Sequence, residues 1–246
     1  EARFAAAITG DTEDLEAFAR GYDIHTLTTC RMFQYPLPPI LTKALHTAPE
    51  CEDWRQGWVP SWSGDGDRRR HLNKTLRYAL QNGWDHKAVL EAKDADLFGL
   101  PKDDLVRYAK MYLKAKPAFV QARARIRDEC ARAKVARTMR GFPRRLFGDY
   151  KTRAKDGWAH MVSGSVSDAV AEILVDWTRE YPEAHVVLNS HDGVTMAFPE
   201  RLDPQSTLTA SRSLVERTWT VFGQPIFVPA TWEWVTSDGR HHPWSG

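Results

Sequence analysis

Apolar residues recur at three- and four-residue intervals along much of this chain, the pattern of helices that bury one face. The clearest case runs from 165 to 181, where Val166, Val170, Ile173 and Trp177 follow helical spacing. Further segments of this kind begin at capping residues and end at Gly or Pro. The pattern predicts helices over 11–20, 23–33, 68–80, 87–93, 102–114, 117–134, 165–181 and 206–221.

Strand signals are fewer and shorter. The apolar runs 186–188 and 194–198 flank a His-Asp-Gly turn, which predicts an antiparallel hairpin with Asp192 at its tip. The 138–150 segment, with two Gly and one Pro, predicts a second hairpin or an irregular ribbon. The segment 54–67, rich in Trp, Gly, Ser and Pro, predicts a loop. The chain is therefore expected to be one α+β unit with a helical insertion in its first half.

Composition narrows the class of protein. A chain of 246 residues with 42% hydrophobic residues and 10 Trp can bury a substantial core. It has no apolar run near the roughly 20 residues that span a bilayer and no leader pattern at its first residues, so we expect an intracellular protein, cytoplasmic or nucleoid-associated. The three Cys, at 30, 51 and 130, form no Cys-x-x-Cys pair and are expected to be reduced and structural.

The net charge of +2 conceals an uneven distribution of charged residues. Between Arg107 and Lys155 there are 16 Lys and Arg against 3 acidic residues, with aromatic residues interspersed. Such a block attracts phosphates by counterion release, which makes it a candidate nucleic-acid footprint. A solvated helix face is the alternative interpretation.

Two other features carry candidate chemistry. On the helix predicted over 68–80, Arg70, Lys74 and Tyr78 are four residues apart and share one face. Two cations and a flat ring suit a nucleoside triphosphate, although a basic surface helix is the alternative. Asp192, on a turn between rigid strands, is a suitable oxygen ligand for a hard cation such as Mg²⁺. An ordinary surface turn is the alternative there.

Three separated segments place these residues in a recognisable order. They are the start, with Glu1-Ala2-Arg3-Phe4, Gly10-Asp11 and Gly21-Tyr22-Asp23-Ile24-His25; the helix Arg70 to Tyr78, ending at Gly83; and His191-Asp192-Gly193. Together they resemble polymerase motifs A, B and C of family A DNA polymerases, over essentially the whole chain. The resemblance implies an α+β fold, an antiparallel palm sheet with a helical fingers subdomain inserted. It assigns 1–10 to the start of the palm, 11–150 to the fingers and connecting segments, and 151–246 to the palm with the motif C hairpin and C-terminal tail.

The resemblance also implies an activity, which is template-directed DNA synthesis by nucleotidyl transfer from a dNTP to a primer 3′-hydroxyl. Mg²⁺ would be the cofactor in a two-metal mechanism, with Asp192 as a metal ligand. Lys74 and Arg70 would hold the triphosphate, His25 would contact it, and Tyr78 would stack on the sugar and base. Lys74 and Asp192 would then be catalytic.

Further roles follow from the same resemblance. Glu1 would pack beside the incoming sugar where a 2′-hydroxyl would lie, and so favour deoxynucleotides. His191 would position the primer terminus as part of the catalytic motif. Arg153 and Lys155 would contact the primer-template DNA, and the basic block would track duplex phosphates without reading sequence.

The chain departs from the family pattern at motif A. The family carries an Asp five residues before the motif A glutamate, and here Glu1 is the first residue, in a segment expected to be a strand. We expect either a fragment cut inside motif A, which is favoured, or one piece of a split polymerase. In both cases a missing N-terminal polymerase portion is a partner, and the isolated chain is expected to be nearly inactive.

Other departures leave rival functions open. Asn82, Ala159, Ser163 and Gly193 stand where the family has Tyr, Asn, Gln and Glu, which implies weaker polar contacts to the template and nascent base pair. A catalytically inactive polymerase-like DNA-binding module fits the absent Asp and Gly193. A single-subunit RNA polymerase shares a His-Asp motif C, but Glu1 and Tyr78 argue against it.

Overall fold

The computed structural model describes residues 1–57, 67–81, 102–190, 193–235 and 240–244. The long helices form where the sequence supplies an apolar face and a capping residue. Asp11, Asp23, Asp149 and Asp203 each accept a hydrogen bond from a first-turn backbone N–H of the helix that follows. The helices are α1 (Ala2–Thr9), α2 (Thr12–Ala19), α3 (Ile24–Phe33), α4 (Glu52–Gly57), α5 (Asp67–Gln81), α6 (Lys102–Ala115), α7 (Pro117–Ala133), α8 (Tyr150–Glu180) and α9 (Pro204–Val215), with 3₁₀ turns at Lys43–His46 and Pro49–Cys51.

The strands of the described residues pair as four two-stranded antiparallel sheets. The pairs are β1 (Val135–Arg137) with β2 (Pro143–Arg145), β3 (His185–Ser190) with β4 (Gly193–Ala197), β5 (Thr218–Val221) with β6 (Gln224–Phe227), and β7 (Trp232–Val235) with β8 (His241–Trp244). Each joins strands that are neighbours in the sequence, as local hairpins do. The mixture of helices and antiparallel hairpins confirms the predicted α+β class.

The main core lies around the middle of α8. Trp158 and Val162 of this helix are fully buried against Phe4 of α1 and Phe119 of α7. The β5–β6 hairpin closes the same core with three buried side chains, from Trp219, Val221 and Ile226. Tight packing of α8 requires Gly157, because a Cβ there would lie 2.5 Å from the Cβ of Cys130 on α7. Farther along α8, Trp177 makes an edge contact with Trp232, with ring centroids 6.0 Å apart, which joins the C-terminal tail to the helix.

Most predicted elements are confirmed, with bounds shifted by a few residues. The helices over 11–20, 23–33, 68–80, 102–114 and 117–134 and the two strands of the Asp192 hairpin are present. The segment 138–150, predicted as a hairpin or an irregular ribbon, contains β2 of a hairpin whose first strand, β1, begins earlier, at Val135. The helix predicted over 87–93 lies outside the described residues, as does 58–66 of the predicted 54–67 loop. The three cysteines are free and buried, as expected.

Four predictions of local structure are wrong. The residues after Glu1 form a helix, because Phe4, Ala5 and Ile8 bury one face of α1. The helix predicted over 165–181 is present, but its predicted start is wrong, because it is the second half of α8, which begins at Tyr150. The start of the predicted 54–67 loop belongs to α4.

The fourth error concerns the helix predicted over 206–221, which ends at Val215. Residues 218–221 form β5, in which exposed Thr alternates with buried Trp219 and Val221. This two-residue period is that of a strand with one buried face.

No helix in the described part of the chain is long and apolar enough to cross a membrane.

Candidate functional site

The predicted polar face of α5 is present. Arg70, Lys74 and Tyr78 are spaced by single helical turns, and Lys74 and Tyr78 are exposed while Arg70 is half-buried. The opposite side of the helix is anchored by Leu76, which is fully buried, and by Asn73, whose side-chain amide donates a 2.9 Å hydrogen bond to the His25 carbonyl. α5 therefore presents two cations and one ring to solvent from a fixed base on α3.

Arg70 is oriented by Asp23, a partner that the sequence interpretation did not identify. Its Nε and Nη2 both lie 2.8 Å from the same Asp23 oxygen, Oδ2. Asp23 is itself fixed as the N-cap of α3, where it accepts from the His25 N–H and the Thr26 hydroxyl. Burial opposes the charged form of Asp23, yet Arg70 and these hydrogen bonds hold the pKa of this carboxyl below its usual value. The sequence does contain a signal for the capping role of Asp23, because an Asp at the start of a predicted helix is an expected N-cap.

His25 lies close to the same cationic groups. Burial, followed by the charge of Arg77 and then of Arg70 and Lys74, lowers the pKa of His25 to about 4, against the opposing effect of Asp23. The imidazole is therefore neutral at pH 7. The structure brings together three of the predicted nucleotide-contacting residues, His25, Arg70 and Lys74, in one electropositive region.

The lowered pKa of His25 predicts a pH dependence of stability. The unfolded His has a pKa near 6.5 and the folded one near 4, so the unfolded chain binds more protons between these values. The free energy of unfolding should fall as the pH is lowered through this window, by at most about 1.4 kcal/mol per pH unit from this group.

Urea denaturation of the parent and of His25→Gln across this pH range measures the effect. The variant should show the shallower slope, while His185→Gln, at an exposed position of β3, should keep the parent slope. Equal slopes for the parent and His25→Gln would contradict a buried neutral imidazole.

Glu1 lies at the junction of α1 and α8. The Ser163 hydroxyl of α8 donates a 3.1 Å hydrogen bond to its Oε1. Ser163, Ala159 and Lys155 are four residues apart and share one face of α8, with Lys155 exposed. Glu1 is thus held beside the helix face for which the sequence predicts DNA contact.

The Arg153 guanidinium donates hydrogen bonds to two backbone carbonyls. Its Nε donates to the Ala131 carbonyl at 2.9 Å, and its Nη1 donates to the Gly148 carbonyl at 2.8 Å. These bonds connect the end of α7 to the start of α8, which gives Arg153 a role in the fold. Its predicted contact with DNA stays a prediction, as does that of Lys155.

The two strands that flank the predicted catalytic turn are present and paired. β3 and β4 pair from His185 opposite Ala197 to Ser190 opposite Gly193. His191 and Asp192, in the connection between these strands, lie outside the described residues. Within the described ranges, no group of three His, Cys, Asp or Glu side chains is placed to hold a metal ion.

A buried charge cluster adjoins the candidate site and was missed in the sequence. Arg77 of α5 contacts Asp14 of α2 at 2.5 Å, and the Lys116 ammonium approaches the other Asp14 oxygen at 2.5 Å. Asp11 lies 3.9 Å from the same ammonium, and all four side chains are almost fully buried. Burial opposes ionisation of Asp14, but the two cations hold the pKa of its carboxyl below the usual value. Lys116 is 102 residues from Asp14 in the sequence, so no local pattern indicates the cluster.

The basic block is therefore not one solvated surface. Lys116 and Arg123 are buried, whereas the cations of the β1–β2 hairpin, such as Arg144 and Arg145, are exposed. Only the exposed members are available to a nucleic acid.

Comparisons with known proteins show the fold. No family model and no curated protein matches the sequence. Among solved structures, the chain is similar to the POL domain of Pol1 from M. smegmatis, determined in complex with DNA primer-template and dNTP. The TM-score is 0.65 at 15% sequence identity, over 91% of this chain and 36% of that one. The chain therefore shares the fold of part of that polymerase domain and spans about a third of that chain's length. This confirms the resemblance at the level of the fold.

Proposed function

We propose that this chain is the nucleotide-handling part of a DNA polymerase, which transfers a nucleotidyl group from a dNTP to the 3′-hydroxyl of a primer paired with a template. The observation that carries the proposal is the grouping of Arg70, Lys74 and His25 on α3 and α5, in a chain with the fold of a polymerase domain. In this proposal residues 11–150 include the fingers, and 1–10 and 151–246 belong to the palm.

Arg70 and Lys74 bind the triphosphate in different ways. The Arg70 guanidinium is held through Nε and Nη2 on Asp23, and with five N–H donors it can bind a phosphate oxygen while the ion pair persists. Lys74 is an exposed ammonium one turn further along α5 and supplies a point charge. Charge that develops on the leaving pyrophosphate is stabilised by this pair, since phosphoryl-type transfer depends mainly on positioning and electrostatics.

Tyr78 and Glu1 act on the sugar and base. The exposed ring of Tyr78 is one turn beyond Lys74 on the same face, where it stacks on the incoming nucleotide. The Glu1 carboxylate, fixed by Ser163, excludes a 2′-hydroxyl. This hydrogen bond supports selection of deoxynucleotides over ribonucleotides.

Asp192 is the oxygen ligand that this chain offers to Mg²⁺. Its carboxylate chemistry fits a hard cation, and the paired strands β3 and β4 end on either side of 191–192. Mg²⁺, when bound, supplies activation of the attacking hydroxyl and neutralisation of the leaving phosphates. We propose that an N-terminal polymerase portion, on the same chain or on a partner subunit, supplies further ligands. His191 would position the primer end.

Primer extension by the native gene product that contains this chain tests the proposal. With Mg²⁺ and a primer-template, we expect extension with dNTPs in strong preference to rNTPs, and loss of extension in Asp192→Asn. Preference for rNTPs would instead indicate an RNA polymerase. Absence of extension with intact primer-template binding would indicate a catalytically inactive DNA-binding module.

A further inference from the structure

The β1–β2 hairpin displays aromatic rings to solvent. Phe142 and Phe147, on either side of β2, are 64% and 75% exposed, and Phe147 is the most exposed large hydrophobic side chain in the described part of the chain. We refer to residues 134–147 as the basic–aromatic hairpin. Two large apolar rings at such exposure, at the two ends of one short strand, indicate an interaction surface more often than a single exposed residue does.

Positive charge surrounds these rings. Residues 134–147 contain Lys134, Arg137, Arg140, Arg144 and Arg145 and no acidic residue. Arg140 is paired with Glu172 of α8, and Arg137 donates to the Gly141 carbonyl at 3.0 Å, whereas Arg144 and Arg145 are exposed on β2. The surface therefore combines rings with at least two accessible cations.

The hairpin is mounted rigidly on α8. The Met139 N–H donates to the Ser165 hydroxyl at 2.9 Å, and the Arg140 N–H donates to the Asp168 carboxylate at 3.1 Å. At Gly141 the turn takes a φ of +82°, which favours Gly. A platform already ordered in this way loses little conformational entropy when a ligand binds.

We propose that the basic–aromatic hairpin binds single-stranded nucleic acid, with Phe142 and Phe147 stacking on unpaired bases and Arg144 and Arg145 contacting phosphates. Stacking requires exposed base faces, which a duplex covers, so the rings select single strands while the cations act on either form. The excess of cations over anions favours a nucleic acid over a protein partner. This binding does not depend on the nucleotide-transfer chemistry proposed above.

Binding by the chain itself tests the role of the rings. Fluorescence anisotropy with a labelled oligo-dT strand and with a blunt duplex of equal length gives both affinities. In Phe142→Ala/Phe147→Ala, the affinity for the strand should fall about tenfold or more, with little change for the duplex. Phe227→Ala, which removes an exposed ring of the β5–β6 hairpin, is the matched control and should bind the strand like the parent.

The charges are tested by salt dependence. Arg144→Gln/Arg145→Gln should weaken binding of strand and duplex alike, and should reduce the slope of log affinity against log salt for the strand by about 1.4, or 0.7 per lost phosphate contact. Both double variants should keep the parent melting temperature because the altered side chains are exposed.

Three results would overturn the proposal. Unchanged affinity of Phe142→Ala/Phe147→Ala for the strand would exclude stacking. Equal losses of affinity for the strand and the duplex would indicate that the surface binds phosphates and does not stack on bases. If the parent does not bind the strand, the hairpin takes a different partner, such as an acidic protein. Because binding is measured without dNTPs, none of these results decides the polymerase proposal.

Discussion

Asp14→Asn is expected to lower the free energy of unfolding by about 3–5 kcal/mol, the usual cost of removing one partner from a buried ion pair. The substitution keeps the size of the side chain and removes its charge. Arg77 and Lys116 both lie 2.5 Å from Asp14. They would then be balanced only in part, by Asp11 at 3.9 Å and Glu13 at 3.3 Å from the Lys116 ammonium. Urea denaturation at pH 7 measures the loss.

Two further variants separate charge from packing. Asp104→Asn makes the same chemical change in a surface pair, where Asp104 lies 2.9 Å from Arg107, and should cost no more than about 1 kcal/mol. Asp14→Asn/Arg77→Met removes one buried cation as well, and should recover part of the stability lost in the single variant. A double variant less stable than Asp14→Asn would contradict the electrostatic explanation.

This cluster also bears on the candidate site. Arg77 is on α5, three residues after Lys74 and seven after Arg70, and its ion pair with Asp14 joins that helix to α2. The hydrogen bond from Asn73 to the His25 carbonyl joins α5 to α3. Together these contacts fix the rotation of α5 about its axis, which determines where Lys74 and Tyr78 point. A group that is not in contact with the nucleotide can thus affect the precision with which it is bound.

Local structure that depends on neighbouring residues could be read from the sequence. α5 and its polar face follow from helical spacing, and the β3–β4 hairpin follows from β-branched runs around a Gly turn. In contrast, α8 could not be read as one helix, because Gly157 and Gly164 are poor helix formers. They are required by close packing, since a Cβ at Gly164 would lie 2.7 Å from Thr138.

Long-range polar pairs were not predictable. The resemblance assigns Arg70 to the triphosphate, but no sequence pattern pairs it with Asp23, which is 47 residues away. Arg77 follows Leu76 on a helix that carries several other Arg, so nothing local distinguishes a buried cation from an exposed one. Such pairs are formed by packing of distant helices, which residue spacing along one helix does not encode.

Lys74→Ala, introduced into the native gene product that contains this chain, is expected to reduce the single-turnover rate of nucleotide addition by about 10²–10³-fold, as removal of one preorganised electrostatic contact to developing charge does. Lys74 is exposed on α5 and makes no core contact that the truncation would remove, so the fold should be retained. Rapid-quench primer extension at saturating dNTP measures the rate, and anisotropy measures the affinity for the primer-template.

The affinity for the primer-template should remain within about twofold of the parent, since on this proposal Lys74 binds the triphosphate and not the duplex. Lys110→Ala, at an exposed position of α6, is the matched control for the loss of one surface cation and should add nucleotides at the parent rate. A Lys74→Ala protein that lost duplex binding and kept its addition rate would instead place Lys74 in the DNA interface. That result would remove the strongest member of the α5 face from the proposed chemistry, because the remaining cation, Arg70, is already shared with Asp23.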